Sequence, residues 1–382
     1  MTWWRTGASL LVALAVALST PRSEARAARP GVASFELVPG VVVDPESRIL
    51  FAMNPQRGID AVEVASGDLR WSTTLAAKPL LVHDGRLVAQ ADGAATPGTL
   101  SVVVLKVGAR LATSLLTARI PLPDGITASV DDALGESFRA TASALGADAL
   151  VAWSYSAYAI SGAAPGAKTS GRNVGERLRL ELTTGRVLPP GPDAAPPGPW
   201  PTPAGVAHLV ESGGLASPLW LSGRIFAAFR DPAGTALMRW DGPSGEPLPD
   251  VSLFGEGVAF RYASADGRHL LGSKLIDAAG PTWLWRVHSI ETGELVAESR
   301  RSSPAAPFFI SGSVLVYSSP PDSREVAGQR VYGAPMLHAV HVRSGDRLWD
   351  RALRDTAYRG LYPPSARAQD RVDPTRVAGD ES

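Results

Sequence analysis

The sequence predicts an all-β chain whose four-stranded antiparallel units stack radially into a ring, a β-propeller. Six blades are expected, with a seventh possible. Three observations carry this. A short hairpin phrase recurs along the chain, its turns are spaced at about 40 to just under 80 residues, and glycine (38) and proline (32) are abundant among the 382 residues, as a turn-rich β-protein requires.

The clearest copies of the phrase are Ile59 to Trp71 and Leu337 to Trp349. Each reads as a strand, a Ser-Gly-Asp turn and a returning strand that ends on tryptophan. Glycine supplies the left-handed backbone conformation that a side chain would strain. The serine before it can hydrogen-bond the local backbone and hold the turn closed. Weaker copies run over Leu178 to Val187, Leu237 to Leu248 and Trp285 to Val296, and Val102 to Leu111 is a degenerate one. The turns therefore fall at Gly67, Gly108, Gly185, Gly245, Gly293 and Gly345.

Strand, Ser/Thr-Gly, a few residues and tryptophan resembles the repeat of the PQQ-like (quinoprotein-type) β-propeller family, over most of residues 40–352. The non-catalytic branch is the better match, and the assembly-factor subunit of outer-membrane β-barrel machinery shares that fold. The resemblance implies a ring of docked tryptophans. Only Trp71 and Trp349 survive here, and the equivalent positions hold Ala112, Pro189, Pro249 and Ala297. The other blades must then lock by different packing.

Residues 1–27 read as a secretory signal peptide, with Arg5 before an apolar run (Ala8 to Leu18) and Ala25-Arg26-Ala27 as the small-x-small cleavage site. The apolar run is short for a membrane span. Removing the segment removes Arg5, Arg22 and Arg26 against Glu24 alone, so the remaining chain is about two units negative. That argues against a nucleic-acid binder, which should carry a basic excess. With no cysteine, the chain holds no disulfide, thiolate metal site or c-type haem. The expectation is a periplasmic or secreted monomer, not integral to the membrane after cleavage.

Along the chain, residues 28–362 read as a single propeller domain. Ser34 to Val43 and Arg48 to Met53 open blade one around the turn Asp44-Pro45-Glu46-Ser47. Leu80 to His83 and Leu87 to Ala91 form a hairpin over Asp84-Gly85-Arg86, and Leu100 to Leu105 with Leu111 to Ile120 complete blade two. Residues 128–145 fit a helix capped by Ser129 (Leu134, Phe138, Leu145) and a strand face (Phe138, Ala140, Ala142, Ala144). A short helix or irregular insert is the expectation. Ala149 to Ile160 reads as a strand, Ala163 to Arg172 as a flexible loop, and residues 188–205, with eight prolines, as a stiff inter-blade linker. Blades four to six follow from Pro218, Ala259 and Pro307, and Pro320 to Gly333 is a polar insert. Tyr358 to Tyr362 and Phe35 to Val38 could build a seventh blade or close the ring, and residues 363–382 read as a disordered tail.

Chemistry is sparse. His338 and His341 are the one close histidine pair, but positions three apart on a strand face opposite ways, so they do not share a metal. They read as turn-flanking structural residues, His341 standing where other copies have Glu63, Glu181 and Asp241. Asp131-Asp132 reads as a solvated helix start rather than a calcium loop. There is no Gly-x-Ser-x-Gly, phosphate loop or His-Glu-x-x-His. Trp153, Tyr155, Tyr158, Trp200, Trp220, Trp283 and Trp285 stand outside the repeat and read as core. No catalytic, cofactor or metal residue is assigned. The leading expectation is a non-catalytic binding scaffold for a protein partner or envelope component. The alternatives are a glycan-binding or glycan-active propeller, motivated by those aromatics, and a PQQ dehydrogenase with calcium. The chain is short for the last, has no cysteines, and has only Asn54 and Asn173 as amide ligands of that kind.

Overall fold

The computed structural model describes residues 34–92, 97–108, 110–133, 135–158, 171–191, 219–221, 224–231, 234–241, 247–253, 257–326 and 329–357. Among them every regular element is a strand. The segment expected to be a signal peptide, most of the loop expected from Ala163 to Arg172, most of the proline-rich linker, Gly245, the possible closing strand Tyr358 to Tyr362 and the tail expected to be disordered lie outside the described residues.

The strands group into six sequential antiparallel sheets. The first holds β1 (Phe35–Val38), β2 (Val41–Asp44), β3 (Ile49–Met53), β4 (Ile59–Glu63) and β5 (Leu69–Thr73). The second holds β6 (Lys78–His83), β7 (Arg86–Gln90), β8 (Thr99–Val107) and β9 (Ala112–Pro121). The third holds β10 (Glu136–Leu145), β11 (Asp148–Tyr158), β12 (Gly171–Leu180) and β13 (Val187–Leu188). The fourth holds β14 (Leu219–Leu221), β15 (Arg224–Asp231), β16 (Gly234–Asp241) and β17 (Pro247–Leu253). The fifth holds β18 (Ala259–Ala263), β19 (His269–Asp277), β20 (Thr282–Ser289) and β21 (Leu295–Arg301). The sixth holds β22 (Phe308–Ser311), β23 (Val314–Ser319), β26 (Met336–His341) and β27 (Arg347–Ala352), with β24 (Ser323–Val326) and β25 (Gln329–Tyr332) as a separate hairpin between its second and third strands. These are six propeller blades.

The core sits between neighbouring blades. One apolar cluster joins the first two (Phe51, Trp71, Leu87, Leu105), another the second and third (Leu100, Ile120, Phe138, Trp153), and a third the fifth and sixth (Trp285, Val287, Phe308, Leu315). The ring closes because the sixth blade packs on the first through Val41, Leu50 and Val64 against Val316, Leu337 and Trp349. Each blade is continuous in sequence, so side chains make the closure without any exchange of strands. Between blades one and three, β6 contacts both β2 and β10.

The repeated turn keeps one geometry. Gly67, Gly185, Gly293 and Gly345 have φ of 77°, 75°, 76° and 75°. Before each glycine, Ser66, Thr184, Thr292 or Ser344 accepts from the amide two residues on, at 3.2, 3.2, 3.3 and 3.3 Å. Gly108 is outside the positive-φ set. His341 takes the turn-flanking place expected of it, its Nδ1 3.4 Å from the Ser344 amide.

The surviving tryptophans dock on the next blade. Trp71 Nε1 donates to the Gly108 carbonyl (3.2 Å), and Trp349 Nε1 donates to the Val64 carbonyl (3.0 Å). A bulge aligns them: Trp71, Trp349 and Ala297 each pair with the last residue before a register shift. In the second blade that place belongs to Leu116, which pairs with Val104 and lies beneath Gly185. The expected equivalence with Ala112 is therefore corrected, because the hairpin of the second blade places four more residues between glycine and docking side chain.

Three further expectations change. Residues 136–145 form strand β10, burying Phe138 and Ala140 against the second blade, so no helix forms there. The run Ser34 to Val43 breaks at Pro39-Gly40, where Gly40 adopts φ 85° and two strands result. The first of them, β1, adds a fifth strand to blade one instead of starting a seventh blade. It lies along the inner edge: Phe35 meets Phe309 edge-on at 5.5 Å, and Ser34 Oγ donates to the Val82 carbonyl (2.8 Å) and accepts from its amide (3.0 Å). Ser34, just before the strand, thus satisfies both backbone groups of Val82 in β6.

Candidate functional site

Alternating strand directions put the connections between second and third strands, and those between blades, on one rim. The tight Ser/Thr-Gly turns occupy the other. The loop rim carries nearly all the long connections and the richest polar network.

Its centre is Arg354, just past β27. The side chain is 1 % exposed. Nε and Nη2 donate to the two oxygens of Asp131 at 2.9 and 2.6 Å, and Nη2 lies 3.6 Å from Asp92. The backbone of this strap adds Arg354 N–H to the Met53 carbonyl and Asp132 N–H to the Thr356 carbonyl. Asp132 also accepts from Ser137 (2.7 Å). The expected solvated helix start at Asp131-Asp132 is replaced by a latch that joins the sixth blade to the first and to the segment before the third. Nearby, Lys78 Nζ donates to the Ala140 carbonyl (3.3 Å), and burial pushes its pKa below the ordinary lysine value although Glu36 opposes that shift.

A second feature repeats from blade to blade. The last three strands of a blade, or the residue just past one of them, present polar side chains that meet near the loop rim. In blade one these are Asn54, Asp60 and Ser72: Asn54 Nδ2 donates to Asp60 (2.7 Å), and Ser72 Oγ donates to the same oxygen (2.8 Å). Arg351, reaching across from the sixth blade, donates to the other Asp60 oxygen at 2.9 Å. In blade five the register-equivalent pair is Arg286 and Glu298, 2.7 Å apart.

In blade six the same positions hold Ser319, His338 and Asp350. Tyr317, His338 and Asp350 stand opposite one another on β23, β26 and β27. Ser319 is two residues on from Tyr317, hence on the same face. Its Oγ is 2.9 Å from His338 Nε2, and His338 Nδ1 is 2.9 Å from Asp350 Oδ1. Arg347 holds Asp350 Oδ2 at 2.8 Å. Tyr317 stacks on the imidazole at 4.9 Å, meets Trp285 edge-on at 5.4 Å, and lies under the Arg301 guanidinium at 5.4 Å. Burial pushes the Tyr317 phenol up from its ordinary value, so it stays neutral near pH 7.

His338 and His341 are engaged separately, as their spacing requires. Of the aromatics outside the repeat, Trp153, Tyr155 and Trp285 are buried, and Trp283 is half-buried with Arg261 over its ring at 5.6 Å. The side chains of Tyr158, Trp200 and Trp220 lie outside the description. Among the described residues no three His, Cys, Asp or Glu side chains converge on a metal position, and no helix is long and apolar enough to cross a membrane. Ser319 and Asp350 carried no sequence signal, because only strand register brings them to His338.

No family model matches the chain, and no curated protein does. Solved structures do align. A luciferin-regenerating enzyme is 12 % identical, with a TM-score of 0.31, covering 86 % of this chain and 97 % of that one. Dihydro-heme d1 dehydrogenase NirN, in complex with DHE, is 14 % identical, with a TM-score of 0.29, covering 84 % of this chain and 67 % of that one.

Proposed function

We propose that this is an exported propeller of PQQ-like repeat type, a cofactor-free monomer that binds a protein partner in the periplasm or outside the cell. One observation carries the binding reading. Last strands are the open outer edges of their sheets, and leucine is exposed on them or just before them, two or three residues past the turn glycine: Leu69, Leu111, Leu295 and Leu348. Single exposed leucines are ordinary. Their recurrence beside unpaired strand edges suits a partner that adds an extended segment, with backbone hydrogen bonds supplying affinity and the leucines supplying contact.

Immobilised protein lacking residues 1–27 is challenged with envelope extract, beside a Leu69→Asp, Leu348→Asp variant. The expected result is a reproducible bound protein, lost in the variant at an unchanged melting temperature. The same proteins captured by both forms, or none by either, would overturn the reading.

A further inference from the structure

Ser319, His338 and Asp350 line up in an order that implies chemistry. An ionised carboxylate only accepts, so the bond that His338 donates to Asp350 fixes the imidazole proton on Nδ1 and leaves the Nε2 lone pair facing Ser319 Oγ. The hydroxyl must then donate to Nε2. This is the nucleophile, base and orienting-acid arrangement by which a serine hydroxyl becomes reactive. The Tyr317 stack fixes the ring plane, and Arg347 fixes the carboxylate. The group stays within reach of solvent, with 23 % of the His338 side chain and 16 % of that of Asp350 exposed. Blade one shows the cluster without the base: Asn54, Asp60 and Ser72 bond one another and Arg351, a purely structural set.

We propose that Ser319 is an acyl-transfer nucleophile that cleaves carboxylic esters with good leaving groups, phenyl-type esters above all. Ser319 Oγ bonds to the acyl carbon while its proton passes to His338 Nε2. The bond from that carbon to the leaving oxygen breaks, and Nε2 returns the proton to it. Water then adds to the acyl carbon, yielding a proton to Nε2. The Oγ bond breaks, Oγ recovers the proton, and ester plus water has become acid plus alcohol. His338 is catalytic; Asp350 and Tyr317 are positioning residues.

The next residues restrict the substrate. Pro320 and Pro321 have no amide N–H, so the backbone after the nucleophile donates nothing to the oxyanion. A missing donor of this kind costs about 10²–10³ in rate. Amides and alkyl esters, whose barriers depend most on that help, are excluded. Arg301, over the Tyr317 ring, places a positive charge beside the group and favours an acyl group that carries negative charge.

The test uses the full chain, a fluorophosphonate probe and p-nitrophenyl acetate and succinate esters, with modified residues located by peptide mass spectrometry. Ser319 should be labelled at least tenfold faster than any other serine, and ester cleavage should be lost in acid, where a protonated imidazole cannot accept the hydroxyl proton. The succinate ester should react faster than the acetate. Ser319→Ala should abolish labelling and cleavage. Asp350→Asn, which keeps the shape and loses the tautomer control, should slow both at least tenfold and flatten the pH profile at an unchanged melting temperature. No labelling at Ser319 in folded protein, or labelling indifferent to both His338→Gln and Asp350→Asn, would overturn the proposal. Neither result bears on partner binding, which uses the outer edges.

Discussion

Trp349 Nε1 donates to the carbonyl of Val64, 285 residues earlier in the chain, at 3.0 Å. The ring closes at this bond. The repeat thereby explains its own last tryptophan: the residue that ends one hairpin is the lock for the next, and the final copy locks onto the first.

Trp349→Phe keeps most of the apolar ring and strands the Val64 carbonyl, so it should cost about 1–3 kcal/mol. Trp349→Ala adds a cavity and should cost about 3–5 kcal/mol. Denaturant unfolding checks both values. The Trp71 pair should behave alike, because its indole makes the equivalent bond to Gly108.

Gly67 and Gly85 separate two costs. Both have positive φ, 77° and 67°, but a β-carbon at Gly67 would overlap the Trp349 ring while Gly85 faces open space. Gly85→Ala should cost about 1–2 kcal/mol of backbone strain. Gly67→Ala should cost a further 1–3 kcal/mol or so of overpacking. Equal losses in thermal unfolding would contradict the docking geometry.

Arg354 should matter more than any exposed ion pair. Arg354→Met leaves Asp131 without this partner and Asp92 with Arg57 alone, and should destabilise by about 2–4 kcal/mol, below the loss for a fully buried pair because Asp131 is 29 % exposed. Asp131→Asn, which retains an acceptor, should cost less. Chemical denaturation at matched salt would rank them.

His288 gives the blade-five turn an acid sensitivity. Its Nδ1 lies 3.0 Å from the Gly293 carbonyl, and burial pushes its pKa below the ordinary histidine value, although the Gly293 bond opposes that shift. The unfolded chain therefore binds this proton more readily. The stability contributed is present above pH 6.5 or so and is lost as pH falls through the depressed value. Melting temperature should drop over that window, and His288→Asn should shrink the drop.

Much of the ring was legible because its punctuation is local. A Ser/Thr-Gly pair determines its own turn, and four of the six glycines share one φ to within a few degrees. Residues 136–145 misled because alternating alanine around Phe138 fits either period, and only the facing blade chooses the strand. Leu116 was hidden by a longer hairpin that moves the docking residue away from its glycine. The Ser319, His338 and Asp350 group and the Arg354 latch to Asp131 depend on register between strands and blades, which no spacing along the chain encodes.

Asp60 and Arg351 test the closed ring most directly, since they are 291 residues apart and bonded at 2.9 Å. A double-mutant cycle with Asp60→Asn and Arg351→Met, read by denaturant unfolding, should give a coupling of about 1–3 kcal/mol. Losses that add to within about 0.3 kcal/mol would mean that the first and sixth blades do not meet.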